Sequence, residues 1–294
     1  MEDSQTAPSQ GGPSPTGIGL ALSGGGARGL AHIGVLKVLE REGVPIECLA
    51  GTSMGGIVGA VYAAGLSAEA LEAEALRMSR PRQLMTLVDR SILRRGLLSG
   101  QKVTAYLARW LGELTFDDLR LPLALVAADL NSRQKVVFRE GPVLEAVRAT
   151  MALPGLFAPV ERGDQLLVDG GIVDNLPADV VRDMGAGCGV AVDISTDRET
   201  VGFVARNLRQ RRLVPDGLAD MIDLLGRCLV FLTWEVNRRA LEEAAPDLVI
   251  RPPVPPTVMP ITGFSQAAEA IAAGERAAEE MMPAIWALLE GKGE

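Results

Sequence analysis

Histidine is almost missing from this chain: among 294 residues there is one, His32. It precedes the serine singled out below, so the hydrolase order Ser…Asp…His cannot be met. Aromatic residues are scarce at 4%, which argues against a β-sandwich and for close helix–sheet packing. Cysteine is limited to Cys48, Cys188 and Cys228, in apolar surroundings and without C-x-x-C spacing. They read as reduced core residues of a cytosolic chain, and no structural metal site is expected. No apolar run reaches the roughly 18–20 residues of a membrane-spanning helix. The longest candidate, Met221 to Val236, is interrupted by Asp223, Arg227 and Glu235. Residues 1–16 have neither a basic nor an apolar signal region and are rich in Ser, Gln, Gly and Pro. They read as a disordered tail rather than a secretory signal. With 29 basic against 37 acidic residues the net charge is −8, which speaks against a nucleic-acid partner.

What the chain does have is glycine, 33 residues of it, and a hydrophobic fraction of 48%. That is enough to bury a sizeable core. Apolar runs at Ile18 to Ser23, Glu47 to Thr52, Leu123 to Asp129, Gln165 to Val168 and Val190 to Ile194 read as buried strands. Lys135 to Phe138 pairs with one of them, and Leu248 to Ile250 is extended. Helical patterns follow the first two strands and recur at Ser67 to Ser79, Ser99 to Leu111, Val143 to Ala149, Leu218 to Ala245 and Ser265 to Leu289, with another opened by Pro177. Pro252 to Pro260, with five prolines, is a rigid connector. Strands alternate with helices and are apolar on both faces. The expected class is therefore α/β, with a mainly parallel sheet covered on both sides. No boundary or repeat is evident, so residues 17–294 are expected to form one domain.

Three motifs carry chemistry. Gly51-Thr52-Ser53-Met54-Gly55 follows an apolar strand and opens a small apolar helix. In that context G-x-S-x-G is a nucleophile elbow: Gly51 and Gly55 permit the sharp turn and Ser53 is held out at a helix N-terminus. Gly24-Gly25-Gly26-Ala27-Arg28-Gly29 matches the dinucleotide fingerprint G-x-G-x-x-G. That reading wants an acidic residue at the end of the next strand, where the elbow stands instead. A Walker loop fails for want of Lys-Ser/Thr. Consecutive glycines whose amides converge at a helix start fit an oxyanion hole, with Gly25, Gly26 and Ala27 as donors. Arg28 either locks that loop or attracts an anionic head group. Asp169-Gly170-Gly171 closes a strand, and alone it reads as an Asp-Gly turn. With the other two motifs, Asp169 becomes the candidate general base. Its ordinary pKa is near 3.9, so burial must raise it or the helix dipole must lower that of the serine. His32, on a core-packed helix, reads as structural.

In chain order, glycine loop, elbow and Asp169-Gly170-Gly171, the three motifs resemble the patatin-like phospholipase family, above all its bacterial branch related to neuropathy target esterase. Ala31-His32-Ile33-Gly34-Val35-Leu36, the run Ala152 to Val160 and Asp174-Asn175-Leu176-Pro177 fit the same branch. The likeness covers Ile18 to Asp193 and weakens beyond. It implies a three-layer α/β/α fold and a Ser–Asp dyad without histidine, with Ser53 as nucleophile and Asp169 as base. The loop Gly24 to Gly29 is then the oxyanion hole, with Gly170 and Gly171 in the base motif. It also implies a lipid ester substrate, phospholipid or lysophospholipid, and no metal or other cofactor. Two alternatives stay open: an idle regulatory protein that kept the fold, and an acyltransferase. Arg80, Arg82, Arg90, Arg94 and Arg95 lie among apolar residues, and Arg206, Arg209, Arg211 and Arg212 form a second cluster. Either cluster is a candidate surface for peripheral contact with anionic membrane, with solvated arginines the plain reading.

Overall fold

A computed structural model of the chain describes residues 17–89, 98–195 and 216–291. Residues 1–16, with the expected tail, lie outside them, as do Arg90, Arg94 and Arg95 and the whole Arg206 to Arg212 cluster. The described residues build an eight-stranded sheet. Its strands are β1 (Ile18–Leu22), β2 (Ile46–Thr52), β3 (Leu123–Asp129), β4 (Gln134–Phe138), β5 (Val160–Arg162), β6 (Gln165–Asp169), β7 (Gly189–Val192) and β8 (Leu248–Ile250). The helices are α1 (Ala31–Arg41), α2 (Ser53–Ala63), α3 (Ala68–Met78), α4 (Pro81–Leu87), α5 (Gln101–Leu111), α6 (Val143–Thr150), α7 (Ala178–Asp183), α8 (Asp216–Ala244) and α9 (Ala267–Gly291).

β1 is central, parallel to β2 on one side and to β7 on the other, and the parallel set continues to β3 and β8. The sheet is thus mainly parallel, as expected, with antiparallel pairings where β4, β5 and β6 join. Side chains alternate across it. Leu20, Leu22, Leu49, Leu123, Leu125, Val190 and Val192 enter the larger core, beneath α1, α2, α3, α5, α6 and α9. Ala21, Cys48, Ala50, Ala124, Val126 and Ala191 enter the smaller one, with residues of α7 and α8. Large residues on one face and small ones on the other let α7 sit close to the sheet, giving three α/β/α layers.

On the larger core's side, α1 and α9 form a tight helix pair. A Cβ on Gly274 of α9 would lie 1.9 Å from the Ala31 carbonyl oxygen, and one on Gly34 of α1 2.0 Å from that of Ile271. Only glycine permits this approach. Two expectations need correction. Cys228 is exposed on α8, unlike the buried Cys48 and Cys188. Its neighbours Leu224, Phe231, Leu232 and Trp234 are exposed too, so an apolar run there does not mean a core face. The short elements α4 and β5 also escaped the reading, being too short to show a period.

Candidate active site

The pairing around β3 brings the motifs together. β4 takes one edge of β3, bonding Leu125 to Asp129. On the other edge β2 pairs with Leu123 to Val126, and β6 with Ala127 to Asp129. β2 and β6 therefore run toward each other end to end. Thr52 stands opposite Val126, and Asp169 opposite the next residue, Ala127. Both chains must turn out of the sheet where they meet. β2 turns through Ser53 into α2, and β6 turns through Gly170-Gly171. The glycine loop leaves β1 beside them, since Leu22 is in register with Gly51. β1 is also where the strand order reverses, the switch point that forms a crevice in open α/β sheets.

The turn at Ser53 is strained. Its φ of +53° lies in the left-handed region, which costs a residue with a side chain roughly 1–2 kcal/mol. The surroundings impose it. The Ser53 N–H donates to Thr150 Oγ1 at 2.9 Å, and that hydroxyl donates to the Val126 carbonyl of β3. Gly55 packs against the end of β1, where a Cβ would lie 2.3 Å from the Leu22 carbonyl oxygen. Thr52, before the helix, gives its hydroxyl to the Asp174 carbonyl at 2.9 Å.

Asp169 is 3% exposed. Its Oδ1 accepts the Gly171 N–H at 2.8 Å, and its own N–H donates to the Ala152 carbonyl at 3.0 Å. Burial pushes its carboxyl up to about 6, against a smaller downward pull from hydrogen bonding with the Ser53 hydroxyl and the Gly171 amide. The strand register makes Ser53 and Asp169 neighbours where β2 and β6 meet. Asp169 is a carboxylate whose pKa lies near neutrality.

The glycine loop departs from expectation at one point. The Ala27 N–H, expected as an oxyanion donor, already donates to the Pro260 carbonyl at 2.7 Å. The Gly24 N–H donates to the Asn175 carbonyl at 3.0 Å, and Arg28 N–H returns to Gly25 O at 3.2 Å. The amides of Gly25 and Gly26 have no partner among the described residues. Arg28 is 3% exposed and donates to the Pro255 carbonyl at 3.2 Å. It therefore locks the loop and does not reach for a head group. Gly26 to Leu30 coil into a 3-10 turn that leads into α1. The proline-rich connector, read only as rigid, turns out to be the backstop of this loop. His32 is fully buried, with Nε2 2.8 Å from the Ser23 carbonyl oxygen. Burial lowers it to about 4, so it is neutral, donates from Nε2, and faces the loop's foundation rather than Ser53.

Sequence reasoning missed Thr150, the Asn175 carbonyl and side chain, and the Pro255 and Pro260 carbonyls. The first was hidden because a threonine at a helix end looks ordinary. Asn175 was noticed only within its motif. Among the described residues no group of three or more His, Cys, Asp and Glu side chains is placed to hold a metal. No described helix is long and apolar enough to cross a membrane.

The family model for patatin-like phospholipase matches residues 20–182, which span the elbow, the glycine loop and Asp169. The chain belongs to the patatin-like phospholipase family. An uncharacterized NTE family protein of Mycobacterium tuberculosis is 40% identical over 185 residues, 63% of this chain and 51% of that protein. Patatin-like phospholipase domain-containing protein 6 of Homo sapiens is 36% identical over 187 residues, 62% of this chain and 14% of that protein. A further uncharacterized NTE family protein, of Mycobacterium bovis, is 34% identical over 280 residues, covering 91% of this chain and 46% of that protein. The chain thus spans about half the length, or less, of these curated relatives. Among solved structures, VipD from Legionella pneumophila covers 95% of this chain and 67% of its own, with TM-score 0.54 and 14% identity. That likeness speaks for the patatin fold alone.

Proposed function

We propose that this patatin-like chain is a serine acyl hydrolase that cleaves carboxylic ester bonds of phospholipids or lysophospholipids. One observation carries the reading: a serine forced to positive φ at a helix N-terminus lies beside a buried aspartate whose pKa is pushed to about 6. In this mechanism Asp169 takes the proton of the Ser53 hydroxyl as Oγ attacks the ester carbonyl carbon. The carbonyl π electrons move to oxygen, and the free amides of Gly25 and Gly26 receive the resulting oxyanion. The tetrahedral intermediate collapses, and the alcohol or lysolipid leaves with the proton held by Asp169. Water then attacks the acyl-serine, with Asp169 again as base, releasing the fatty acid and restoring the hydroxyl. The N-terminal end of α2 lowers the cost of negative charge on Ser53 Oγ.

Family membership and the relatives' names favour a lipid ester as substrate. The reacting groups all come from the three motifs, and no cofactor is invoked. Arg80, Arg82 and the exposed Met85 and Val88, on and beside α4, are the described part of the surface proposed for an anionic membrane. The test is a fluorophosphonate probe with the wild type and Ser53→Ala, together with fatty-acid release from mixed phospholipid micelles. Labelling and release that both vanish in Ser53→Ala are expected. An unlabelled wild-type protein would favour the idle regulatory reading.

A further inference from the structure

Asn175 touches the glycine loop twice. Its main-chain carbonyl accepts the Gly24 N–H at 3.0 Å, and its side-chain Nδ2 donates to the Gly24 carbonyl at 3.4 Å. It is 4% exposed. A Cβ built on Gly24 would lie 2.3 Å from Asn175 Oδ1 and 3.1 Å from Ser53 Cβ. One built on Gly171 would lie 3.0 Å from the same Oδ1 and 3.2 Å from Asp169 Oδ1. The side chain is therefore wedged between the loop, the nucleophile and the base turn.

The consequence follows from peptide planarity. The described residues contain no cis peptide, and in a trans peptide the C=O of one residue and the N–H of the next point in opposite directions. Holding the Gly24 carbonyl toward Asn175 turns the Gly25 N–H away from it. The next peptide is set in the same manner, since the Gly25 carbonyl accepts from Arg28 N–H at 3.2 Å and leaves the Gly26 N–H pointing outward. A glycine-rich segment flips its peptides at little cost, so some outside contact has to choose one orientation.

We infer that Asn175 is a positioning residue for acyl transfer: its carboxamide fixes the Gly24–Gly25 peptide so that the Gly25 amide serves the oxyanion. The inference deepens the function proposed above and rests on it. Asn175 touches no reacting atom and acts through the loop.

Asn175→Leu keeps the branched shape and removes the donor, while the main-chain contact to Gly24 stays. The readouts are kcat and KM for a soluble aryl ester, with kcat expressed per site titrated by fluorophosphonate, and the pH profile of kcat/KM. The expected result is a fall in kcat of about 10²-fold, at the lower bound for loss of one oxyanion donor. KM is expected to stay within about twofold and the acid limb, which reports Asp169, to stay in place. Fluorophosphonate labelling should slow by the same factor as kcat/KM, because the phosphonyl adduct needs the same cradle. Should Asn175→Leu not fold, Asn175→Ala, smaller and without a side-chain donor, carries the same test. A folded variant with kcat near wild type overturns the inference, and so does a loss that moves the acid limb. Ser53→Ala run beside it separates the two levels. If that variant is dead while Asn175→Leu turns over normally, the inference alone falls. If Ser53→Ala still turns over, the nucleophile assignment falls and takes the inference with it.

Discussion

Replacing Asp169 by asparagine should kill activity and stabilise the protein, and pH decides by how much. The carboxyl has a folded pKa of about 6 against 3.8 when free. Above pH 6 it is ionised in both states, and the folded state bears the cost of a buried charge. About two pKa units at 1.36 kcal/mol each come to about 3 kcal/mol. As pH falls through 6 the folded state takes up its proton first, and the penalty is relieved by about pH 4. Asparagine keeps an oxygen for the Gly171 amide and carries no charge. Asp169→Asn should therefore be about 3 kcal/mol more stable than wild type at pH 8 and equal to it near pH 3. His32 works in the opposite sense. Its folded pKa of about 4 lies below the free value of 6.5, so it favours folding above pH 6.5. That contribution, again about 3 kcal/mol, is lost as pH falls toward 4. In wild type the two contributions oppose each other over nearly the same window. The variant removes one and should reveal a steep acid loss that wild type masks. Urea unfolding of both proteins at intervals from pH 8 to pH 4 measures it. The wild-type kcat/KM should meanwhile fall below about pH 6, as the base is protonated. No stabilisation at pH 8, or a gain that persists unchanged at pH 4, would refute the reasoning, and an acid limb near 4 would remove Asp169 as the titrating base.

Further expectations concern the scaffold of the site. Thr150→Val removes the acceptor of the Ser53 N–H, and leaving that amide unpaired should cost about 1–3 kcal/mol, read from the urea midpoint, with a larger proportional loss of turnover. Gly274→Ala forces a methyl against the Ala31 carbonyl and should cost about 1–3 kcal/mol in the same assay, with KM unchanged. Arg28→Met cuts the tie to Pro255 and should lower kcat without moving the acid limb, since the loop loosens and the base is untouched.

The sheet was legible because its strands are short apolar runs, apolar on both faces and alternating with helical patterns, and such runs are visible in sequence. Ser53, Asp169 and the glycine loop were legible for another reason. The elbow and the loop need glycine where backbones approach closely, and glycine at fixed spacing is visible. The second contacts were not. Whether the Ala27 amide is free depends on where Pro260 lies, far along the chain, and no local pattern reports it. His32 was read correctly as structural, yet only the fold shows that it buttresses Ser23 at the foot of the glycine loop. Cys228 misled because apolar neighbours suggest a core, while α8 turns several of them outward.

The meeting of the serine and the aspartate depends on register more than on either side chain. β2 and β6 share one edge of β3 and run toward each other, so that their C-terminal ends meet there. Had β6 joined parallel, its C-terminal end would point away from Ser53 and Asp169 would stand at the far side. Had it slipped by one residue, the period of two would send the Asp169 side chain to the opposite face of the sheet. The antiparallel turn-back of β6 is thus the topological step that places Asp169, the proposed base, beside Ser53, the proposed nucleophile. Asp169 is 3% exposed beside the fully buried Thr150 layer of the core, and that burial raises its carboxyl toward neutrality. The packing that raises the Asp169 carboxyl also holds the Ser53 amide on Thr150, which is why the strain at Ser53 is tolerated there.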